Sequence, residues 1–272
     1  MSTGLIIVLL IIIICITGAA FIFKVVAGAA TERASNILEY YDFGYNQSEG
    51  PYLCLVAGTH GNEPAGTIFL RALAARLLTN PDIIKKGRLR IIPAINQWGL
   101  DRNIRYNSDY FGVTPKSDIN RNYTVDGGTE EISENVVRLI DGATLVIDFH
   151  EGWGYHLCQS QSVGSTLTPT DYFPAPVIAD VAVSTINSLP DEHGLNDISP
   201  RDGYRQPECK RFTAIRGQSC KIPTTLACYM QKNELPYILV ETTGQNSIQP
   251  MSIRTAQIET IIKTAMMSLG MI

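Results

Sequence analysis

The stretch "PYLCLVAGTHGNEPAG", residues 51–66, joins an apolar run to an amphipathic segment through a short polar turn. The run 51–58 ends in glycine and predicts a buried strand. Residues 64–78 have helical periodicity, and Pro64 stands where the first turn of a helix tolerates proline. A strand followed at once by a helix is typical of an α/β fold.

The rest of the chain repeats this alternation of apolar runs and helical patterns. Further strands are predicted at 87–96, 143–150 and 236–244, and further helices at 131–141, 175–189 and 252–270. We therefore predict a three-layer α/β sandwich around a central mixed, mostly parallel, twisted sheet. The segments 97–130 and 151–235 are rich in Gly, Pro, Asn, Asp and Tyr, and we expect them to form long connections around a site.

Composition fits one sizeable hydrophobic core. The chain has 272 residues, of which 45% are hydrophobic and 18% charged. A net charge of −4, without a clustered Lys/Arg face, argues against nucleic-acid binding. Only four histidines occur, so a histidine-based metal site has few candidate ligands.

The N-terminus has a different composition. Residues 4–23, "GLIIVLLIIIICITGAAFIF", contain no charge, and an apolar helix of this length matches about 30 Å of hydrocarbon. We predict a single-span membrane anchor or signal segment at 1–30 and a catalytic domain at 31–272. The alternative is a secreted protein, because "VVAGAA" (25–30) offers the small residues of a signal cleavage site.

Two further features bear on the compartment. The first cations, Lys24 and Arg33, follow the apolar segment, which favours a cytoplasmic catalytic domain by the positive-inside rule. Five cysteines lie beyond the segment, and none forms a CxxC pair. Either one bridge among Cys209, Cys220 and Cys228 or free thiols would fit the sequence.

Polar side chains follow the predicted strands where they end. His60 and Glu63 come after the first strand, His150 closes "LVIDFH", and Glu241 closes "YILVE". Each alone is more often a turn, capping or core residue, but together they gather at the edge where α/β sheets bind ligands. Two histidines and one carboxylate form a zinc set with an open fourth position. An additional glutamate suits a general base.

The segment 96–123, "NQWGLDRNIRYNSDYFGVTPKSDINRNY", adds an arginine and an Asp-x-Asn-Arg-Asn motif between these residues. The ordered set of His-x-x-Glu, Arg, Asp-x-Asn-Arg-Asn, a strand closed by His and a strand closed by Glu resembles the zinc carboxypeptidase superfamily. That superfamily includes carboxypeptidase A-like peptidases and the aspartoacylase/succinylglutamate desuccinylase deacylases. The resemblance runs from about residue 51 to the C-terminus.

The resemblance implies a role for each motif residue. One zinc ion per chain would be held by His60, Glu63 and His150, with Glu241 as catalytic base. It also implies that Arg105 stabilises the oxyanion and contacts substrate, that Asn120 and Arg121 bind a substrate carboxylate, and that Asp118 orients His60. Independently, Asp148 shares a strand face with His150 and could orient it. Arg102 is the alternative to Arg105, since either could be a solvated charge at the rim.

Some features depart from the peptidases of this superfamily. Those peptidases carry a tyrosine before the catalytic glutamate, and no local motif chooses among Tyr155, Tyr172, Tyr204, Tyr229 and Tyr237. His156 is predicted to be a pocket or surface residue, because a fourth protein ligand would close the site. The sequence ends one helix after Glu241, without room for the C-terminal β domain of aspartoacylase-like enzymes.

We therefore expect a membrane-anchored zinc-dependent amide hydrolase acting on substrates with a free carboxylate. Carboxypeptidase-type cleavage of peptides is favoured over deacylation of N-acyl amino acids, although the Gly-Asn-Glu form of the first motif is similar to the deacylases. A non-catalytic binding protein on the same fold is a further alternative. The competent residues at every predicted position argue against it.

Overall fold

A seven-stranded sheet forms the centre of the fold in a computed structural model, which describes residues 38–44, 49–107, 117–196 and 206–272. Its strands lie in the order β1-β3-β2-β6-β9-β7-β8. They are β1 Glu39–Phe43, β2 Tyr52–Ala57, β3 Arg88–Ala94, β6 Leu145–Gly152, β7 Thr166–Pro169, β8 Thr213–Ala214 and β9 Tyr237–Thr243, and a separate hairpin comprises β4 Tyr123–Thr124 and β5 Gly127–Gly128.

The four central strands, β3, β2, β6 and β9, run parallel. At the edges, β1 pairs antiparallel with β3, and β7 antiparallel with β9. All eight residues of β6 are buried, which explains why it begins with the continuous apolar run 145–147. The predicted α/β class with a mixed, mostly parallel sheet is confirmed.

Helices pack on both faces of the sheet. Their bounds are α1 Pro64–Thr79, α2 Gln97–Arg102, α3 Glu131–Ile140, α4 Ala175–Ser188, α5 Pro207–Lys210, α6 Leu226–Lys232 and α7 Met251–Ser268. One buried cluster joins α1, α4 and α7 to the sheet, and a second joins α3 and α6 to it. The two clusters use alternate residues of each strand, as the pleat requires: Leu145 and Ile147 belong to the first, and Val146 to the second.

β6 begins and ends two residues later than predicted, whereas β9 lies within the predicted range 236–244. β6 continues two residues past His150, and β9 two residues past Glu241. These extensions pair with each other, and the Gly244 amide donates a hydrogen bond to the Gly152 carbonyl. His150 and Glu241 are therefore direct neighbours inside the sheet rather than terminal residues, a correction that follows from main-chain pairing.

One bridge forms among Cys209, Cys220 and Cys228, as one of the two alternatives predicted, and a second bridge that the sequence did not predict joins Cys158 to Cys209. Cys158 is bonded to Cys209, Cys220 is bonded to Cys228, and Cys54 is a buried thiol. The Cys158–Cys209 bridge ties the loop after β6 to α5 across a sequence separation of 51 residues. Such a pairing depends on which loops meet in the fold, and the spacing of cysteines does not reveal that.

The predicted membrane segment, residues 4–23, and its flanking cations lie outside the described residues. Within the ranges that the structure describes, no helix is both long enough and apolar enough to span a bilayer.

Candidate metal centre

Three side chains converge beyond the β2–α1 turn: His60, Glu63 and His150. One ligand atom from each lies within 4.8 Å of the others, and all three residues are buried. The His60 Nδ1 atom is 2.9 Å from Glu63 Oε1. The His150 Nδ1 atom is 2.8 Å from Glu63 Oε2 and 3.1 Å from His60 Nδ1.

This arrangement fits a tetrahedral zinc ion. Ligand atoms at about 2.0–2.1 Å from zinc, with tetrahedral angles, are about 3.3 Å apart. The separation of 3.1 Å between the two Nδ1 atoms is close to that value, and the two Glu63 oxygens lie 2.9 Å from His60 Nδ1 and 2.8 Å from His150 Nδ1, respectively. Two imidazoles and one carboxylate are also the donors of hydrolytic zinc sites, and three protein ligands leave one position for water or substrate.

A carboxylate holds the second nitrogen of each histidine ring. His60 Nε2 is 3.3 Å from Asp118 Oδ1, and His150 Nε2 is 3.2 Å from Asp148 Oδ2. A carboxylate at Nε2 favours a proton on that nitrogen and leaves the Nδ1 lone pair for a metal. Asp118 and Asp148 therefore lie where the sequence predicted orienting carboxylates.

Tyr237 supports Asp148 from the neighbouring strand. Its hydroxyl donates to Asp148 Oδ2 over 2.9 Å, and both residues are buried. Asp148 also raises the pKa of Tyr237, after burial as the larger cause. The sequence offered Tyr237 only as one of five tyrosines near the substrate. The structure places Tyr237 on the same face of the sheet as Asp148 and His150, because alternate residues of β9 point to that face.

The β2–α1 turn depends on close backbone packing. The Glu63 amide donates to the His60 carbonyl over 3.2 Å, which closes the turn. A methyl group at Gly61 would overlap the backbone of Gly99 and Ile104. Only glycine lets this turn pack against the start of α2, and the packing directs His60 and Glu63 towards β6.

Arg105 borders the centre, and Arg102 does not. The Arg105 guanidinium donates to Asp118 Oδ2 over 3.1 Å and lies 3.4 Å from Glu63 Oε1. Its side chain is 30% exposed, so it faces the open side. Arg102 instead stacks on Trp98, with its guanidinium 4.2 Å from the ring centroid.

Asn120 and Arg121 lie on a short 3-10 turn, Ile119–Arg121, beside Asp118. The Asn120 amide donates to Asp118 Oδ1, and its side-chain oxygen accepts a hydrogen bond from the Leu226 amide. Both residues are partly exposed, and the Arg121 guanidinium donates to the Asn120 carbonyl over 2.7 Å. The motif thus borders the centre, with one end anchored on α6.

Glu241 is the neighbour of His150 in the β6–β9 pairing and lies on the same face. Paired residues on adjacent parallel strands are about 4.8 Å apart at Cα. The side chain is partly exposed, and no hydrogen bond joins its carboxylate to another described residue. Loss of hydration raises its pKa to about 8; His150 opposes this shift and Glu63 adds to it.

Neighbouring charges shift the pKa values of the buried acids and of His150 in opposite directions. Burial alone would raise the pKa of Glu63, but His60 and His150 outweigh it and lower that pKa below its usual range. Burial alone would lower the pKa of His150, but Asp148 and Glu63 hold it well above its usual value. Hydrogen bonding to His60 and the charge of Arg105 likewise overcome burial and lower the pKa of Asp118.

Other candidates have different roles. The His156 ring bonds the Ser162 carbonyl over 2.8 Å, and it is not among the three converging ligands. Glu151 forms a buried ion pair with Arg254 of α7. Tyr155 is buried, Tyr172 and Tyr229 are partly exposed, and Tyr204 lies outside the described residues.

Comparisons with known proteins agree with this geometry. The model of the succinylglutamate desuccinylase/aspartoacylase catalytic domain matches residues 49–159, which include all three converging ligands. Among curated proteins, none matches the chain.

Solved structures share the fold at low identity. The tripeptide-bound cell-shape determinant Csd4 of Helicobacter pylori superimposes with a TM-score of 0.61 and 14% identity, over 87% of this chain and 56% of that one. The chain thus spans little more than half of Csd4. A protein of Shewanella denitrificans OS217, provisionally described as a metallopeptidase, has a TM-score of 0.57 and 17% identity, over 89% and 83%. The chain is therefore similar to the succinylglutamate desuccinylase/aspartoacylase catalytic domain over residues 49–159, and it shares the fold of these solved structures.

Proposed function

We propose that the protein is a zinc-dependent hydrolase that removes residues from peptides ending in a free carboxylate. The observation that carries this proposal is the convergence of His60, Glu63 and His150 beside Glu241. Csd4, a D,L-carboxypeptidase of the same fold with solved tripeptide-bound and mDAP-bound forms, supports a peptide substrate.

Each residue at the centre has a defined task in this proposal. Zinc bound there would polarise the scissile carbonyl and make the attacking water more acidic. Asp118 and Asp148 hold protons on the Nε2 atoms of His60 and His150, so that the Nδ1 atoms face the ion. Glu241 takes a proton from the attacking water and passes it to the leaving amine.

Positive charges on the open side complete the site. Arg105 donates to the carbonyl oxygen as negative charge develops there, because its guanidinium lies within 3.4 Å of Glu63 and is 30% exposed. Asn120 and Arg121 bind the substrate carboxylate, which a planar guanidinium can contact with two parallel hydrogen bonds.

Deacylation of N-acyl amino acids is the second candidate. It is favoured by the match of residues 49–159 to the succinylglutamate desuccinylase/aspartoacylase model. Both reactions break an amide bond next to a carboxylate-bearing residue, so the centre itself serves either one.

A parallel assay separates the two. The purified full chain would be tested on short peptides, on the same peptides with an amidated C-terminus, and on N-acyl amino acids, each with and without chelator. We expect cleavage of the free-acid peptides, little cleavage of the amidated ones, and loss of activity with chelator. Faster turnover of N-acyl amino acids would favour the deacylase, and chelator-insensitive hydrolysis would contradict the zinc mechanism.

A further inference from the structure

Gln245 lies four residues after Glu241, at the start of the 3-10 turn Gln245–Ser247. It is partly exposed, and no motif in the sequence marks it. Its side-chain nitrogen lies 3.1 Å from Glu63 Oε1 and 2.6 Å from the Glu151 carbonyl oxygen. Both neighbours are acceptors, so the NH₂ group of the amide must face them.

Each oxygen of the Glu63 carboxylate therefore contacts an uncharged donor, and Oε1 also lies 3.4 Å from the Arg105 guanidinium. Gln245 donates to Oε1, and the Glu151 backbone amide lies 3.2 Å from Oε2. An amide orients a carboxylate without neutralising it. A cation at the same place would compete with a metal ion for the charge of Glu63.

These donors stand on a rigid support. The Glu151 side chain accepts a hydrogen bond from the Ala65 amide over 2.6 Å and pairs with Arg254, and both charged residues are buried. Any side chain at Gly244 would overlap this ion pair, so the backbone beside Gln245 packs directly against it. The ion pair thus fixes the position from which the Gln245 side chain reaches Glu63 Oε1.

We propose that Gln245 is a positioning residue for the metal ligand Glu63. It sets the rotation of the carboxylate so that its oxygens face the Nδ1 atoms of His60 and His150. This inference rests on the proposed function, because it requires that Glu63 binds the ion. Loss of the amide would leave Glu63 in place but remove one of the donors that orient its carboxylate, which weakens metal binding rather than folding.

The test compares Gln245→Met with Gln231→Met. Methionine matches glutamine in length and cannot donate a hydrogen bond. Gln231 is also partly exposed and hydrogen-bonded, but its partners are Ser219 and Asp171. Zinc affinity would be measured by competition with a chromophoric chelator, together with the thermal midpoint of the metal-free protein, kcat and KM.

We expect zinc affinity to fall by about 10-fold or more in Gln245→Met. The control should keep wild-type affinity, and the metal-free midpoints of both variants should stay close to wild type. With cobalt(II) in place of zinc, the visible absorption of Gln245→Met should change, because the ligand geometry changes. Zinc affinity within twofold of wild type would overturn the inference.

A second variant keeps the test decisive if Gln245→Met does not fold. Gln245→Lys retains a donor to Glu63 but adds a charge that competes with the ion. We expect a folded protein with reduced zinc affinity, and undiminished affinity would overturn the inference. If wild-type protein binds no zinc, the proposed function fails first. If wild type binds zinc and both variants bind it equally well, only the role of Gln245 fails.

Discussion

Each histidine of the centre lies between two carboxylates. His60 contacts Glu63 and Asp118, and His150 contacts Glu63 and Asp148. Without a metal ion, the carboxylates around His150 stabilise a proton on its ring and raise its pKa. With an ion, the same carboxylates orient the rings and increase their basicity as ligands.

Zinc binding should therefore release protons. Because Asp148 and Glu63 raise the pKa of His150, the metal-free ring keeps its second proton to higher pH than an ordinary imidazole, and its Nδ1 must lose that proton to bind zinc. We expect release of at least one proton per zinc at pH 7 and tighter binding as pH rises. Calorimetry in buffers of different ionisation enthalpy measures the release, and an enthalpy independent of the buffer would contradict it.

Tyr237 should affect metal affinity without contacting the ion. Tyr237→Phe removes the hydrogen bond to Asp148 and leaves the ring in the core. We expect zinc affinity to fall by about 10-fold, the range seen for residues that support metal ligands. Tyr229→Phe is the control, because Tyr229 lies on α6 and is partly exposed, whereas Tyr237 is buried against Asp148. Equal affinities in the two variants would refute this role for Tyr237.

At the scale of elements, the pairing of β6 with β9 builds the centre. It sets His150 beside Glu241, and Asp148 on the same face two residues earlier. The long apolar runs of the parallel strands made these elements predictable from sequence. β7 was missed, because "TLTP" is short and mostly Thr and Pro, and its place depends on antiparallel pairing with β9. The sequence placed His150 and Glu241 at strand ends because the polar residues after them hid the continued pairing.

The β2–α1 turn offers a test at this scale. Gly61→Ala would force the turn away from Gly99, and we expect unfolding free energy to fall by about 1–3 kcal/mol, with weaker zinc binding. Gly142→Ala is the control, because its positive φ of 73° strains alanine while nothing lies within 4 Å. Chemical denaturation and zinc titration measure both effects. If Gly61→Ala lost stability but kept full zinc affinity, the turn would not position the ligands.

At the scale of the molecule, two disulfides belong to the segments between β6 and β9. Cys158 is bonded to Cys209 and Cys220 to Cys228. Disulfides persist mainly in oxidising compartments, so we propose that the domain functions outside the cytoplasm. This reverses the orientation that Lys24 and Arg33 favour. The membrane anchor at residues 4–23 stays a prediction, because that segment lies outside the described residues. The apolar segment could be recognised from composition alone, whereas the disulfide pairing depends on the fold.

Reduction should destabilise the protein. The Cys158–Cys209 bridge joins residues that are 51 positions apart. In the chain-entropy model, closing a loop of that length stabilises a protein by roughly 4 kcal/mol. We therefore expect dithiothreitol to lower the thermal midpoint by several degrees, and non-reducing mass spectrometry to find the Cys158–Cys209 linkage. Cys158→Ser should lower the midpoint without reductant, by the part of the shift that the Cys158–Cys209 bridge contributes. An unchanged midpoint in both experiments would contradict a structural role for this bridge.

The central claim is that Glu241 is the base beside an ion held by His60, Glu63 and His150. Its most direct test is hydrolysis per bound zinc in Glu241→Gln, compared with wild type on the same free-acid peptide. We predict one zinc per chain in both proteins and turnover lowered by about 10²–10⁴-fold in the variant, the usual contribution of a general base. Turnover per zinc within a few-fold of wild type would contradict the account.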